Sequence, residues 1–134
     1  MPDSDPLPPR PTRCPCLSGE TYSGCCERLH RGDAAAPTAE ILMRARYSAF
    51  AMGETAYLLR TWHPSTRPAT LELDHEQQWV RLDVERLVRG GPLDTVGVVE
   101  FTAYFRHHGK RHQQHEASRF VREHRIWFYV DELD

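Results

Sequence analysis

A chain of 134 residues, 40% hydrophobic, is long enough to bury one core and short for several domains. The formal charge of −2 argues against a general nucleic-acid binder: 17 basic residues, all arginine except Lys110, are interspersed with 19 acidic ones. No stretch approaches the roughly 20 apolar residues of a membrane-spanning helix, and the opening M-P-D-S-D-P-L-P-P-R lacks the apolar run of a secretory signal, so a soluble, cytoplasmic protein is expected.

Residues 1–12 hold five of the ten prolines and almost no hydrophobic mass, which predicts a disordered leader unable to offset its ordering entropy by burial. All the cysteines then fall between Cys14 and Cys26, in C-P-C-L-S-G-E-T-Y-S-G-C-C. Thiolates are the soft ligands that zinc and copper(I) sites favour. Pro15 fixes the backbone between Cys14 and Cys16, so both side chains can turn toward one point. Cys25 and Cys26 supply the other half of a tetrahedron, and the Ser18-Gly19 and Ser23-Gly24 pairs give the backbone freedom a tight reversal needs. The pattern predicts a knuckle over 13–30 in which Cys14, Cys16, Cys25 and Cys26 hold one Zn2+. Four protein ligands make such a centre structural, because catalytic zinc keeps one position open for water. Disulfides compete poorly: vicinal cysteines rarely bridge each other, and cytosolic cysteine clusters more often bind metal or catalyse. A redox pair lacks the two-residue spacing of the thioredoxin motif. His30 is either an alternative fourth ligand or an exposed loop histidine.

Glu27 to Ala36 reads as a short connection. Pro37 and Thr38 then open a helix, with Thr38 able to cap the free amides and Glu40 at the positive end of the dipole. Leu42, Met43, Tyr47 and Phe50 recur at helical spacing, and Gly53 stops the run. A second short helix over 54–61 presents Tyr57, Leu58 and Trp62 and ends at Pro64. The period then changes to two. Val80, Leu82 and Val84 alternate with Arg81 and Asp83 in a half-buried strand over 79–84. After a turn at Gly90-Gly91-Pro92, a strand over 96–107 places Val99, Phe101, Ala103 and Phe105 on one face and Glu100, Thr102, Tyr104 and Arg106 on the other. His108-Gly109 reads as a hairpin turn, and strands near 114–121 and 126–130 complete an antiparallel meander. Helices followed by such a sheet give an α+β layout.

These residues carry a resemblance. C-P-C-x-S-G-x-x-Y-x-x-C-C resembles the SEC-C motif, the small zinc-binding module at the C-terminus of the SecA preprotein translocase, where the fourth ligand is commonly His or Cys; Cys26 takes that place here. L-H-x-G, A-P-T-A-E-x-L-M-R-x-R-Y-S-A-F and Y-L-L-R-T-W-H-P-S-T-R-P then follow in the order of the YchJ-like family, a resemblance that covers nearly all the chain after residue 12. Some members carry a second SEC-C motif, whereas no cysteine follows Cys26 here. The element order of 37–132 resembles the nuclear-transport-factor-two-like (cystatin-like) fold, a cone in which a curved sheet wraps the helices and leaves a pocket. By resemblance to SecA, the knuckle implies recruitment of a protein partner, secretion- or ribosome-linked.

Two functions fit this reading, since fold alone does not decide function. One is a non-enzymatic adaptor whose zinc-held knuckle docks a partner through exposed side chains such as Tyr22, Glu20 and Arg28. The other is a small-molecule binder or enzyme at the cone's mouth, with Glu100, His115 and His63 as acid/base candidates beside Trp62 and Tyr47. Each candidate also has a structural role open to it: alternation puts Glu100 and Tyr104 on a solvated face, Arg119 can pair across the ladder, and the Trp62-His63-Pro64 loop can seal the core. His107, His108, His112 and His115 read as a charged hairpin rather than a second metal site, because strand neighbours alternate faces. The adaptor is favoured, and a roomy pocket with the acid/base groups pointing inward would reverse that preference.

Overall fold

The computed structural model describes residues 13–133, so the leader expected over 1–12 lies outside the described residues. A cysteine-rich loop leads into α1 (Cys26–His30), α2 (Ala39–Met52) and α3 (Thr55–Arg60), and the strands β1 (Gln77–Arg89), β2 (Val96–His107), β3 (Lys110–Glu123) and β4 (Ile126–Glu132) follow. The strands form one antiparallel sheet in the order β1-β2-β3-β4. One face of it receives α2, which touches β1, β2 and β4. This is the expected α+β cone. Among the described residues no helix is long and apolar enough to cross a membrane.

Local chemistry explains α2. Thr38 Oγ1 accepts the Ile41 N–H at 3.1 Å, and Gly53 closes the helix in the left-handed conformation with φ 75°. Leu42, Met43 and Tyr47 are buried as the spacing predicts, together with Ala39, Ala45 and Ala49, whose small side chains let the helix lie close to the sheet. The stretch read as a connection after the knuckle instead begins with α1. Five residues are too few to display a helical period, and the Tyr22 carbonyl, accepting the Glu27 N–H at 3.0 Å, starts the turn from outside.

The first strand is longer than its alternation suggested. Register slips between Trp79 and Arg81 and between Val84 and Arg86 interrupt the pairing, and bulges of this kind bend a strand. Val80 is the extra residue of the first and lies 51% exposed, so Trp79 turns inward in its place, against Tyr47, Phe50 and Phe105. The third strand starts at Lys110, four residues before the expected 114; its first half is polar and exposed, so no alternation marks it in the sequence. The β2–β3 and β3–β4 hairpins each turn on two left-handed residues, His108-Gly109 and His124-Arg125.

At the other end of the sheet the backbone itself is the packing surface. Gly90 O accepts the Ala39 N–H at 2.9 Å, and a Cβ on Gly97 would lie 2.6 Å from Gly90 Cα. The start of α2 is thereby clamped onto the β1–β2 connection. Trp127, buried on β4, fastens the same corner through Nε1–H to Pro37 O at 3.2 Å.

Candidate functional site

Two constructions concentrate chemistry: the cysteine loop and a cavity inside the cone. An isolated bridge between Arg13 and Thr21, with Cys14 N–H donating to Glu20 O at 2.9 Å, closes the loop. Leu17 turns it in the left-handed region with φ 66°. The four Sγ atoms lie within 4.8 Å of one another, with Cys16 and Cys25 3.6 Å apart and Cys25 and Cys26 3.9 Å apart. Cys14, Cys16 and Cys26 are at most 2% exposed. Thiols this close compete for charge. The hydrogen bond from Cys26 pulls the Cys16 thiol down to about 4 against the effect of burial, while the same bond and burial push Cys26 up, and burial pushes Cys25 up. A bound cation removes that competition by balancing all the thiolates at once, so the group suits a metal ion.

The loop is fastened to the cone. Cys14 Sγ lies 3.6 Å from Ser48 Oγ, Arg44 Nη1 donates to Cys16 O at 3.1 Å, and Arg60 Nη2 donates to Leu29 O and His30 O at 3.2 Å each. His30 is buried on α1 and not an exposed loop residue. Its Nε2 meets Ala45 O at 2.8 Å and its Nδ1 meets Tyr22 Oη at 2.6 Å, so both nitrogens are occupied outside the four-sulfur group. Tyr22 is correspondingly committed inward, while Glu20 and Arg28 remain exposed.

The cavity has a volume of about 360 Å³ between α2, the sheet and the segment 71–77. Met43, Tyr47, Phe50, Trp79 and Phe101 give it apolar walls, and Arg46, Trp62, Glu116 and Tyr129 bring polar groups to it. Arg46 is 3% exposed, with its guanidinium 5.2 Å from the Trp62 ring centre and 4.5 Å from that of Tyr129. Nη1 donates to Leu58 O at 2.8 Å and Thr61 Oγ1 at 2.7 Å. Burial lowers Arg46 to about 10, which still leaves it cationic at neutral pH. Glu116 accepts from Ser118 Oγ at 2.6 Å and Gln114 Nε2 at 3.1 Å. Among the described residues the buried Trp62 indole Nε1 has no partner.

The acid/base candidates read from the sequence divide. Tyr47 and Trp62 line the cavity. Glu100 and His115 do meet, at 2.7 Å, but on the outer face of the sheet, and His63 pairs with Glu123 at 3.0 Å and with Ser65 elsewhere. No acid/base trio assembles from them. Besides Glu72 and Asp74 of the segment 71–77, the sheet brings one carboxylate to the cavity, Glu116, and the hairpin held the signal for it. Counting outward from the His107–Lys110 pair puts Glu116 opposite inward-facing Phe101 and Glu100 opposite Ala117. The hairpin histidines disperse as expected, with His112 stacked on Phe105 and His107 paired with Asp74 at 2.8 Å. Only His107 and His108 converge, together with Glu76, on exposed surface. Arg119 pairs across the ladder with Asp131 at 2.6 and 2.7 Å.

Comparison with known proteins adds to this geometry. The family described as "YchJ, middle NTF2-like domain" matches residues 38–132. The chain is 48% identical over 126 residues to a UPF0225 protein of Streptomyces coelicolor, covering 94% of this chain and 95% of that relative. It is 50% identical over 124 residues to a UPF0225 protein of Chromobacterium violaceum, covering 90% and 91%. Among solved structures it is similar to a SEC-C motif containing protein of Rhodopseudomonas palustris, with a TM-score of 0.77 and 31% identity over 91% of this chain and 98% of that one. A SEC-C motif containing protein of Psychrobacter arcticus gives a TM-score of 0.72 and 29% identity over 88% and 80%.

Proposed function

Because this chain belongs to the YchJ-like family, UPF0225, with an N-terminal SEC-C region, we propose that it is a binding module in which a zinc knuckle holds the scaffold and the cavity of the cone receives a small organic ligand. The observation that carries the reading is the cavity, which gathers a buried guanidinium, a carboxylate and an unpartnered indole N–H between apolar walls. Zinc suits the knuckle on geometry. Bonds of about 2.3 Å in a tetrahedron put sulfurs about 3.8 Å apart; the Cys16–Cys25 and Cys25–Cys26 pairs, at 3.6 and 3.9 Å, lie near that value, and all four sulfurs lie within 4.8 Å of one another. Cys14, Cys16, Cys25 and Cys26 would hold the ion, and its contribution is structural, since four thiolates leave no open position. Knuckle and cone would then be units over 13–30 and 37–132, and a metal-binding cysteine cluster suits a reducing cytoplasm. The test is a fragment screen followed by the indole N–H signals of Trp62 and Trp79 in nuclear magnetic resonance. Fragments that shift these signals support the reading, and a screen in which none does overturns it.

The adaptor reading keeps one observation in its favour. Leu17, 54% exposed, stands at the tip of the knuckle beside exposed Ser18, Gly19 and Glu20. An apolar side chain held out on a metal-braced turn suits contact with a protein partner, secretion- or ribosome-linked by resemblance to SecA. Leu17→Asp should abolish recovery of such a partner while leaving the metal in place, and unchanged recovery would remove the knuckle tip from the account.

A further inference from the structure

We propose that the cavity selects a small zwitterion with an apolar body, its carboxylate meeting Arg46 and its ammonium meeting Glu116. This rests on the ligand-binding reading above and names the class of ligand. Arg46 and Glu116 line the same cavity, yet every hydrogen bond of either runs to a neutral group: Leu58 O and Thr61 Oγ1 for the arginine, Ser118 Oγ and Gln114 Nε2 for the glutamate. Among the described residues neither forms an ion pair: Arg46 is buried and Glu116 half-buried, and the two act on each other only at longer range, although a buried charge such as Arg46 ordinarily finds a direct partner.

Both groups are built to receive a partner. The bonds that fix Arg46 in the fold leave from Nη1 alone, and the Trp62 and Tyr129 rings lie near the guanidinium, so its remaining edge is the part available to a carboxylate. Glu116 is fixed at both oxygens, each of which retains a further lone pair. Charge balance decides between ligands. Glu72 and Asp74 also line the cavity, but both are exposed and Asp74 is engaged by His107 at 2.8 Å, so the charges left to a ligand are Arg46 and Glu116: a simple anion brought to Arg46 would face Glu116, and a simple cation brought to Glu116 would face Arg46. A molecule bearing one charge of each sign answers both, and Tyr47, Phe50 and Trp79 offer an aromatic surface to the body between them.

Isothermal titration of the full chain with its metal in place tests the proposal with three probes that share a phenyl body: phenylalanine, phenylpropionate and phenethylamine. Phenylalanine should bind about tenfold or more tightly than either single-charge probe, as expected when a second charge-assisted contact is added. If a single-charge probe binds as tightly as phenylalanine, the zwitterion proposal is overturned and the cavity remains a ligand site. If none of the three binds while other fragments shift the Trp62 and Trp79 signals, this proposal alone falls; if no fragment shifts them either, both fall. Arg46 lies deep enough that its replacement risks the fold, so Glu116→Gln carries the mutational arm, because glutamine keeps an acceptor for Ser118. In that variant the preference for phenylalanine over phenylpropionate should vanish with the unfolding temperature little changed, and a preference that survives excludes Glu116 as the ammonium seat.

Discussion

His30 shows how a single imidazole can tie three elements together. Ala45 O only accepts, so Nε2 donates there, and in the neutral ring Nδ1 accepts from the Tyr22 hydroxyl. The Tyr57 ring packs beside it at 4.7 Å, and α1, α2 and α3 thus meet on one side chain. Tyr22→Phe keeps the ring and removes the donor, leaving Nδ1 part-buried and unmatched. The expected cost is about 1 kcal/mol, read as a lower denaturant midpoint at unchanged slope. An unchanged midpoint would mean that water serves Nδ1 as well as the phenol does. None of this pairing was legible in the sequence, because Tyr22 and His30 gain their roles only after α1 forms and turns both toward α2.

At the scale of elements, α2 was legible because it is long and carries both caps, whereas α1 and the bulges of β1 were not, because one leaves no period and the other breaks it. The clamp at Gly90 and Gly97 belongs to the same hidden class: a glycine in a strand signals close backbone approach without saying to what. Gly97→Ala would drive a methyl into Gly90 Cα and within 3.3 Å of Ala39 Cβ. A loss of about 1–3 kcal/mol on chemical denaturation is expected, and a neutral result would show that the helix start is free to move away. The knuckle is the other testable element. Cys16→Ser should release the metal and expose the amides of 13–30 to hydrogen exchange, because a small metal loop owes its order to the ion. Amides of β2 and β3 should stay protected, since those strands pair along their whole length and bury Val99, Phe101 and Phe120. Joint loss of protection would show that the bonds of Ser48, Arg44 and Arg60 to the cysteine loop and α1 make the two one cooperative unit.

The whole molecule closes around aromatic side chains, and its behaviour in alkali follows from them. Burial raises Tyr22, Tyr47, Tyr57 and Tyr129 to about 12, which places the folded chain above the unfolded one in protons bound between pH 10 and 12. Stability contributed by these phenols is therefore complete below pH 10 and is lost as the pH climbs through 12. Arg46 acts in the opposite sense: lowered by burial from 12.5 to about 10, it binds fewer protons when folded, and its cost to the fold diminishes over the same range. Four phenols against one guanidinium leave a net loss. Tyr22 is the least buried of the four and contributes least. The unfolding temperature should accordingly fall steeply above pH 10, and the ultraviolet rise of phenolate should coincide with loss of the circular dichroism of the sheet. Phenolates appearing near pH 10 on an intact sheet would mean that water already reaches Tyr47 and Tyr129 through the cavity, and the wall those rings form with Arg46 would then be an open one.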